Sequence, residues 1–166
     1  TFNLHASLLP NYRGAAPINW AIINGETKTG VTTFFIDDKI DTGEMILSKE
    51  IAIDSDENAG ELHDRLMHLG CDTVVETLHL IEKGNITTQK QTDSPEIKTA
   101  YKLNKDNCKI DFEKSGESIY NLIRGLSPYP SAWCYIKDGK DEWNVKMYEA
   151  TLELVSHDLS VGTIIT

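Results

Sequence analysis

Two polar residues near the start of the sequence, Asn3 and His5, alternate with the apolar residues Phe2 and Leu4. Residues 1–5 have the composition of a short β-strand, and residues two apart in a strand point to the same face. A carboxamide and an imidazole therefore lie side by side where the strand ends and a loop begins. Open α/β sheets bind ligands at such strand ends. The pair is either part of a functional site or a hydrogen-bonded Asn and His at a strand end.

Asp41 is the carboxylate best placed to act with His5. It follows a β-branched and aromatic run at 31–36, which predicts a strand, and it precedes Thr42-Gly43. If this strand lies near the first, Asp41 reaches the imidazole, stabilises its protonated form and fixes its orientation, as acid–base chemistry requires. The alternative is a turn aspartate that caps its own backbone. The spacing alone leaves both interpretations open.

The elements that must position these residues alternate between strands and helices, which favours an α/β fold. A helix is predicted from Pro17 to Ile23, a third strand at 45–53, and a long helix from a capping box at Asn58 to Gly84. The apolar residues that recur at helical spacing in the long helix predict its buried face: Leu62, Leu66, Leu69, Leu78 and Ile81.

The later part of the sequence predicts a second, smaller unit. Residues 89–99 are polar and resemble a linker, and Ser115 is positioned to cap a helix. Strands are predicted at 133–136 and 143–148, and the Asp138-Gly139 pair between them predicts a hairpin. Residues 161–166 also have strand-like sequence. Because the sequence both starts and stops in such segments, we expect further sequence on either side.

Composition restricts the function classes. The net charge of −10 argues against nucleic acid binding over the whole surface, although residues 95–166 are nearer neutral. No apolar run is long enough to cross a bilayer, so no membrane association is expected.

The three cysteines follow no metal-binding or disulfide pattern, so we expect a reducing cytoplasm and cysteines that are small buried side chains. No ligand cluster at fixed spacing predicts a metal site, and the histidines of the long helix are expected at a surface or interface: His63, His68 and His79.

Two segments together resemble the core of the folate-dependent formyltransferases. The first is Asn3-Leu4-His5 followed by Ser7-Leu8-Leu9-Pro10 and Arg13-Gly14-Ala15-Ala16-Pro17. The second is Gly30-Val31-Thr32 leading to Asp41-Thr42-Gly43. The resemblance implies a Rossmann-like formyltransferase sheet and a catalytic trio of Asn3, His5 and Asp41.

The same resemblance implies the co-substrate 10-formyltetrahydrofolate and no metal. The residues that correspond to the folate-lining segment are Ser7, Leu8, Leu9 and Pro10. Asp37, Asp38 and Lys39 correspond to the loop that covers the pterin ring. Residues 1–91 would be the C-terminal half of the catalytic domain, residues 92–101 a linker, and residues 102–166 part of a C-terminal OB-like barrel.

The second unit indicates which acceptor to expect. Tyr101-Lys102-Leu103-Asn104-Lys105 and Pro128-Tyr129-Pro130-Ser131-Ala132-Trp133 resemble the C-terminal domain of methionyl-tRNA formyltransferases. That resemblance implies initiator methionyl-tRNA as the acceptor and a monomer. The cations nearest to a tRNA surface would be Lys98, Lys102, Lys105 and Arg124. Three alternatives stay open: formylation of an amino-sugar nucleotide, formylation of glycinamide ribonucleotide, and a non-catalytic folate- or RNA-binding module.

Overall fold

The sheet that carries His5 has three strands, residues 2–5, 28–35 and 45–52 in that spatial order, and both pairings are antiparallel. The structure is a computed structural model that describes residues 1–84 and 86–165. Its elements in chain order are β1 Phe2–His5, β2 Arg13–Gly14, α1 Pro17–Ile23, β3 Lys28–Phe35, β4 Met45–Ala52, α2 Ala59–Glu82, β5 Thr99–Ala100, α3 Gly116–Leu126, β6 Ala132–Asp138 and β7 Asp141–Met147. The predicted α/β class is confirmed.

Helix α2 packs on this sheet, and its predicted beginning and end are confirmed. Asn58 accepts hydrogen bonds from the backbone of Gly60 and Glu61, and the Glu61 side chain accepts from the Asn58 backbone. This capping box satisfies backbone donors that the first helical turn leaves unpaired. Gly84 follows the helix with a φ of 66°, a conformation that glycine adopts without strain. Within the described residues, no helix is both long and apolar enough to span a membrane.

The predicted buried face of α2 is wrong in its second half. Leu62 and Leu66 are buried, but Leu78 and Ile81 are 46% and 36% exposed, and Thr73 and Thr77 are buried in their place. At about 100° per residue, Thr77 lies only ~20° from Leu66 around the helix axis, whereas Leu78 lies ~120° away. The row of residues that faces the sheet therefore continues through the threonines.

The predicted linker, residues 89–99, pairs together with Ala100 against the first part of the chain. The backbones of Gln89 and Met45 exchange two hydrogen bonds, and Thr99–Ala100 pairs in parallel with Arg13–Gly14. Gly14 is required there, because a Cβ at this position would lie 2.4 Å from the Ala100 carbonyl oxygen. The segment therefore lies against the loops that follow β1 and β3.

The later part of the chain has a core of its own, formed by α3 and the β6–β7 hairpin. Ser115 caps α3 through the backbone of Ser118, and Gly139 with Lys140 forms the hairpin turn, so both predictions are confirmed. The strand-like segment at 161–166 is not a strand: residues 161–165 form no helix or strand and are exposed, and Thr166 lies outside the described residues. A strand needs a hydrogen-bonding partner, and the described residues provide none for this segment.

Candidate active site

His5 lies at the end of β1, opposite Thr32 of β3, and is only 7% exposed. Its Nε2 lies 2.7 Å from the carbonyl oxygen of Tyr12. Because a carbonyl oxygen can only accept a hydrogen bond, Nε2 must carry a proton. The other ring nitrogen, Nδ1, is then the one that can gain or lose a proton, and it faces Asp41.

The loop between β3 and β4 brings Asp41 to His5. The loop leaves β3 at Phe35, beside the far end of β1, and folds back, so that Asp41 Oδ2 lies 3.6 Å from His5 Nδ1. Oδ2 also accepts a hydrogen bond of 2.9 Å from the Gly14 backbone N–H. A separation of 3.6 Å is an ion-pair distance and is too long for a hydrogen bond. Catalytic contacts are often this long before substrate binds.

Asn3 is exposed on β1 and lies opposite Phe34 of the neighbouring strand. Strand alternation places it on the same face as His5, two residues away. Within the described residues its carboxamide makes no hydrogen bond, so both its donor and its acceptor are available to a ligand.

The predicted folate-lining segment is only partly accessible. Ser7 is fully buried, and its hydroxyl donates to the backbone of Asn11. The Thr32 hydroxyl donates to the Ser7 carbonyl and accepts from the Leu9 N–H, which fixes the turn against β3. Leu9 is buried as well, whereas Leu8 and Pro10 are partly exposed. The side chains of Leu8 and Pro10 are therefore the ones that can meet a ligand.

The predicted pterin-covering loop, which contains Asp37, Asp38 and Lys39, is exposed. The Asp37 carboxylate accepts hydrogen bonds from the hydroxyl of Thr42 and the backbone of Lys39, so the loop is closed on itself. A cavity of about 390 Å³ lies between this loop and the segment after α2; it is lined by Phe35, Ile36, Asp37, Thr42, Gly43, Glu44, Lys90 and Gln91.

Behind His5, a hydrogen-bonded cluster that the sequence analysis missed fixes the buried Tyr12. The Tyr12 hydroxyl donates to Glu26 at 2.5 Å and accepts from Asn24, and burial raises the pKa of this phenol. Burial alone would also raise the pKa of Glu26, but hydrogen bonds from Lys98 and Tyr12 outweigh it and lower that pKa. These residues are far apart in sequence, and no local pattern links them.

The four cations expected near a tRNA surface differ in their accessibility. Arg124 is 8% exposed, and its guanidinium donates to Asn121 and to the Glu57 carbonyl; burial lowers its pKa. Lys98 is bound to Glu26. Lys102 and Lys105 are exposed. Arg124 is therefore part of the interior and is not a surface cation.

Aromatic rings accompany the cations of the second unit. Lys105 Nζ lies 5.2 Å from the centre of the Trp133 ring, and Lys109 Nζ lies 5.5 Å from the same ring and 5.6 Å from that of Tyr135. Cations beside aromatic rings occur at nucleic acid binding surfaces; Tyr135 is 41% exposed and open to stacking, whereas Trp133 is only 9% exposed.

The cysteines and the histidines of the long helix form no second site within the described residues. Cys108 and Cys134 are buried, and burial raises the pKa of both thiols. Cys71 is exposed, so the expectation that all three cysteines are buried is wrong. His63, His68 and His79 are exposed as predicted, and within residues 1–84 and 86–165 no group of three or more potential ligands forms a metal site.

Comparison with protein families identifies the class of protein to which this site belongs. The sequence matches the family model described as formyl transferase over residues 1–78 and the model for the formyl transferase C-terminal domain over residues 102–166. The chain belongs to the formyl transferase family.

Relatives with established names are similar over the whole chain. A methionyl-tRNA formyltransferase from Flavobacterium johnsoniae is 69% identical over 100% of this chain and 53% of its own length. One from Clostridioides difficile is 49% identical over 98% of this chain and 51% of its own length. The chain thus spans about half the length of the curated relatives that it matches.

A solved structure of the same class is an N-formyltransferase from Helicobacter canadensis in complex with folinic acid and dTDP-3-aminofucose. It is 31% identical, with a TM-score of 0.67, and the match covers 75% of this chain and 46% of that protein. The similarity supports a Rossmann-like formyltransferase fold for the part of the chain that the match covers.

Proposed function

We propose that the protein transfers a formyl group from 10-formyltetrahydrofolate to the α-amino group of methionine on initiator tRNA. The observation that carries the proposal is the pairing of His5 and Asp41, with Nδ1 and Oδ2 3.6 Å apart. The names of the relatives at 69% and 49% identity support the acceptor. Folinic acid bound to the Helicobacter enzyme supports a folate as donor.

In the proposed mechanism, the amine attacks the formyl carbon, an oxyanion develops, and the folate nitrogen leaves with a proton. Asp41 takes up the proton of the attacking amine, directly or through a water, and passes it to His5 Nδ1, which donates it to the leaving nitrogen. The Asn3 carboxamide donates to the oxyanion, and one such donor contributes roughly 2.7–4 kcal/mol of transition-state stabilisation. The reaction requires no covalent enzyme intermediate and no metal, because a deprotonated amine is a sufficient nucleophile.

Substitution of the trio tests these roles in a polypeptide of the relatives' full length that contains these 166 residues. We expect Asn3→Ala to lower kcat by about 10²–10³-fold, and His5→Ala and Asp41→Ala to lower it by about 10²–10⁴-fold. The matched controls are His63→Ala and Asp64→Ala, because these residues form an exposed imidazole–carboxylate pair on α2. The controls should keep the parent kcat. Near-parent turnover in any two of the trio variants would refute the assigned roles.

A second candidate function is formylation of an amino-sugar nucleotide of the UDP-4-amino-4-deoxyarabinose type. It is favoured by the sugar nucleotide bound to the structurally similar Helicobacter enzyme. Parallel assays with charged initiator tRNA, this sugar nucleotide and glycinamide ribonucleotide separate the candidates. A kcat/KM highest for either small acceptor would overturn the tRNA proposal. Folate binding without transfer to any acceptor would favour a non-catalytic module.

The folate is proposed to lie along Leu8 and Pro10, with Asp37 and Asp38 of the exposed loop closing over the pterin. We expect Asp37→Ala to raise the KM for the folate more than it lowers kcat, because Asp37 holds the loop through Thr42. An unchanged KM for the folate in this variant would remove the loop from the folate site.

The tRNA is proposed to contact three exposed cations, Lys102, Lys105 and Lys109, of which the last two lie beside Trp133. Phosphate contacts release counterions, so tRNA affinity should fall steeply with salt, and each lysine lost should reduce the slope of log K against log salt by about 0.7–0.9. Lys28→Ala is the control, because this lysine pairs with Glu50 on the other part of the chain. A slope unchanged in all three lysine variants would leave them without a role.

We further propose that the protein is a monomer in the cytoplasm. Size-exclusion chromatography with light scattering tests the monomeric state.

A further inference from the structure

The loop that carries Asp41 has an unusual backbone conformation, and a residue from another segment holds it. Asp41 has a φ of 54°, in the left-handed region that few residues other than glycine adopt, although aspartate enters it more readily than most. Two residues later, a Cβ on Gly43 would lie 1.6 Å from the Phe35 carbonyl oxygen, so the loop passes directly over the end of β3. Such a conformation persists only where surrounding contacts impose it.

Gln91 makes these contacts. Its Nε2 donates to the carbonyl of Asp41 at 2.9 Å and to the carbonyl of Gly43 at 2.8 Å. One side-chain amide group, which has two N–H donors, thereby fixes the backbone on both sides of Thr42. The segment that carries Gln91 is itself held to β4 by the paired backbones of Gln89 and Met45.

The other end of the Gln91 side chain is also fixed. Its Oε1 accepts a hydrogen bond of 2.9 Å from Arg13 Nε, and Arg13 Nη1 pairs with Asp93. The residue after Arg13 donates its backbone N–H to the Asp41 carboxylate. Arg13 orients the amide, the amide holds the Asp41 backbone, and Gly14 holds the Asp41 carboxylate, so the three contacts form one closed arrangement.

We propose that Gln91 is a positioning residue that holds the Asp41 carboxylate beside His5 Nδ1. Only a neutral amide satisfies both ends, because the two loop carbonyls require N–H donors and Arg13 requires an acceptor. A glutamate of the same size would face the two carbonyl oxygens with a carboxylate oxygen. The catalytic consequence rests on the function proposed above, but the positioning itself does not.

The test compares Gln91→Glu and Gln91→Ala with the matched control Gln89→Ala. Gln89 is the same residue type in the same segment, and within the described residues its side chain makes no hydrogen bond. In the 166-residue chain, hydrogen exchange of the Gly14 amide reports whether Asp41 stays in place. We expect this exchange to accelerate at least about tenfold in both Gln91 variants and to stay unchanged in Gln89→Ala. Far-UV circular dichroism verifies that each variant is folded.

The second measurement is made on the polypeptide of the relatives' full length that contains these 166 residues. We expect kcat to fall about tenfold to a hundredfold in the Gln91 variants with little change in the KM for the folate, because misplacement of a catalytic group affects the chemical step. Unchanged Gly14 exchange would overturn the proposal. So would accelerated exchange with a parent-like kcat. If exchange accelerates but the parent protein transfers no formyl group, the proposed function fails and the positioning role of Gln91 stands.

Discussion

A pair of buried hydroxyls between α2 and the sheet gives a prediction with a defined magnitude. Thr33 of β3 and Thr77 of α2 are fully buried, and their Oγ1 atoms are 2.8 Å apart. Thr77 also donates to the backbone of Thr73 at 2.8 Å. Each hydroxyl has one proton, so Thr33 must donate to Thr77 or to the Leu47 carbonyl, which is 3.4 Å away.

The two single substitutions should therefore have unequal effects. Thr77→Val leaves Thr33 with only the long contact to Leu47, and a buried hydroxyl without a good partner costs about 1–3 kcal/mol of unfolding free energy. Thr33→Val leaves Thr77 bonded to Thr73, so the loss should be only about 0.5–1.5 kcal/mol. The double variant has two apolar groups of similar shape in contact, which is close to neutral. It should be more stable than Thr77→Val alone.

Urea denaturation followed by far-UV circular dichroism measures these differences. The control is Thr73→Val combined with Thr33→Val, because Thr73 donates only to Leu69 of its own helix and shares no hydrogen bond with Thr33. The loss of unfolding free energy caused by Thr73→Val should add to the loss caused by Thr33→Val within about 0.5 kcal/mol. A Thr33→Val/Thr77→Val variant as unstable as the sum of its parts would refute the proposed hydrogen-bond arrangement.

Three further predictions concern the helix cap, the thiols and acid stability. Asn58→Ala should lower the unfolding free energy by about 1 kcal/mol, and an unchanged thermal midpoint in calorimetry would contradict the cap seen in the structure. A thiol reagent should label Cys71 rapidly and Cys108 and Cys134 only on unfolding, because burial raises the pKa of the latter two; rapid labelling of all three would contradict this. The pKa of Glu26 is lowered from 4.5 on folding, so its stabilising effect is present above about pH 4.5 and is lost as pH falls through the folded pKa. The stability difference between the parent and Glu26→Gln should therefore shrink in acid, and a constant difference would count against the ion pair.

Local sequence determined most of the elements, because caps, turns and strand composition act within a few residues. The helix capped by Asn58, the hairpin at Gly139 and the helix that begins at Pro17 were all predictable. So was the α/β class. For Asn3, His5 and Asp41 the sequence supplied residue types and a family resemblance, but their roles stay predictions.

Only the tertiary structure decided how these residues are held. The approach of Asp41 to His5, the amide of Gln91 on the Asp41 loop, and the pairing of Thr77 with Thr33 all depend on contacts between distant segments. Hydrophobic periodicity records which side chains avoid water, whereas a polar group is buried wherever a partner from elsewhere in the chain satisfies it. Such partners become visible only when the fold brings the segments together.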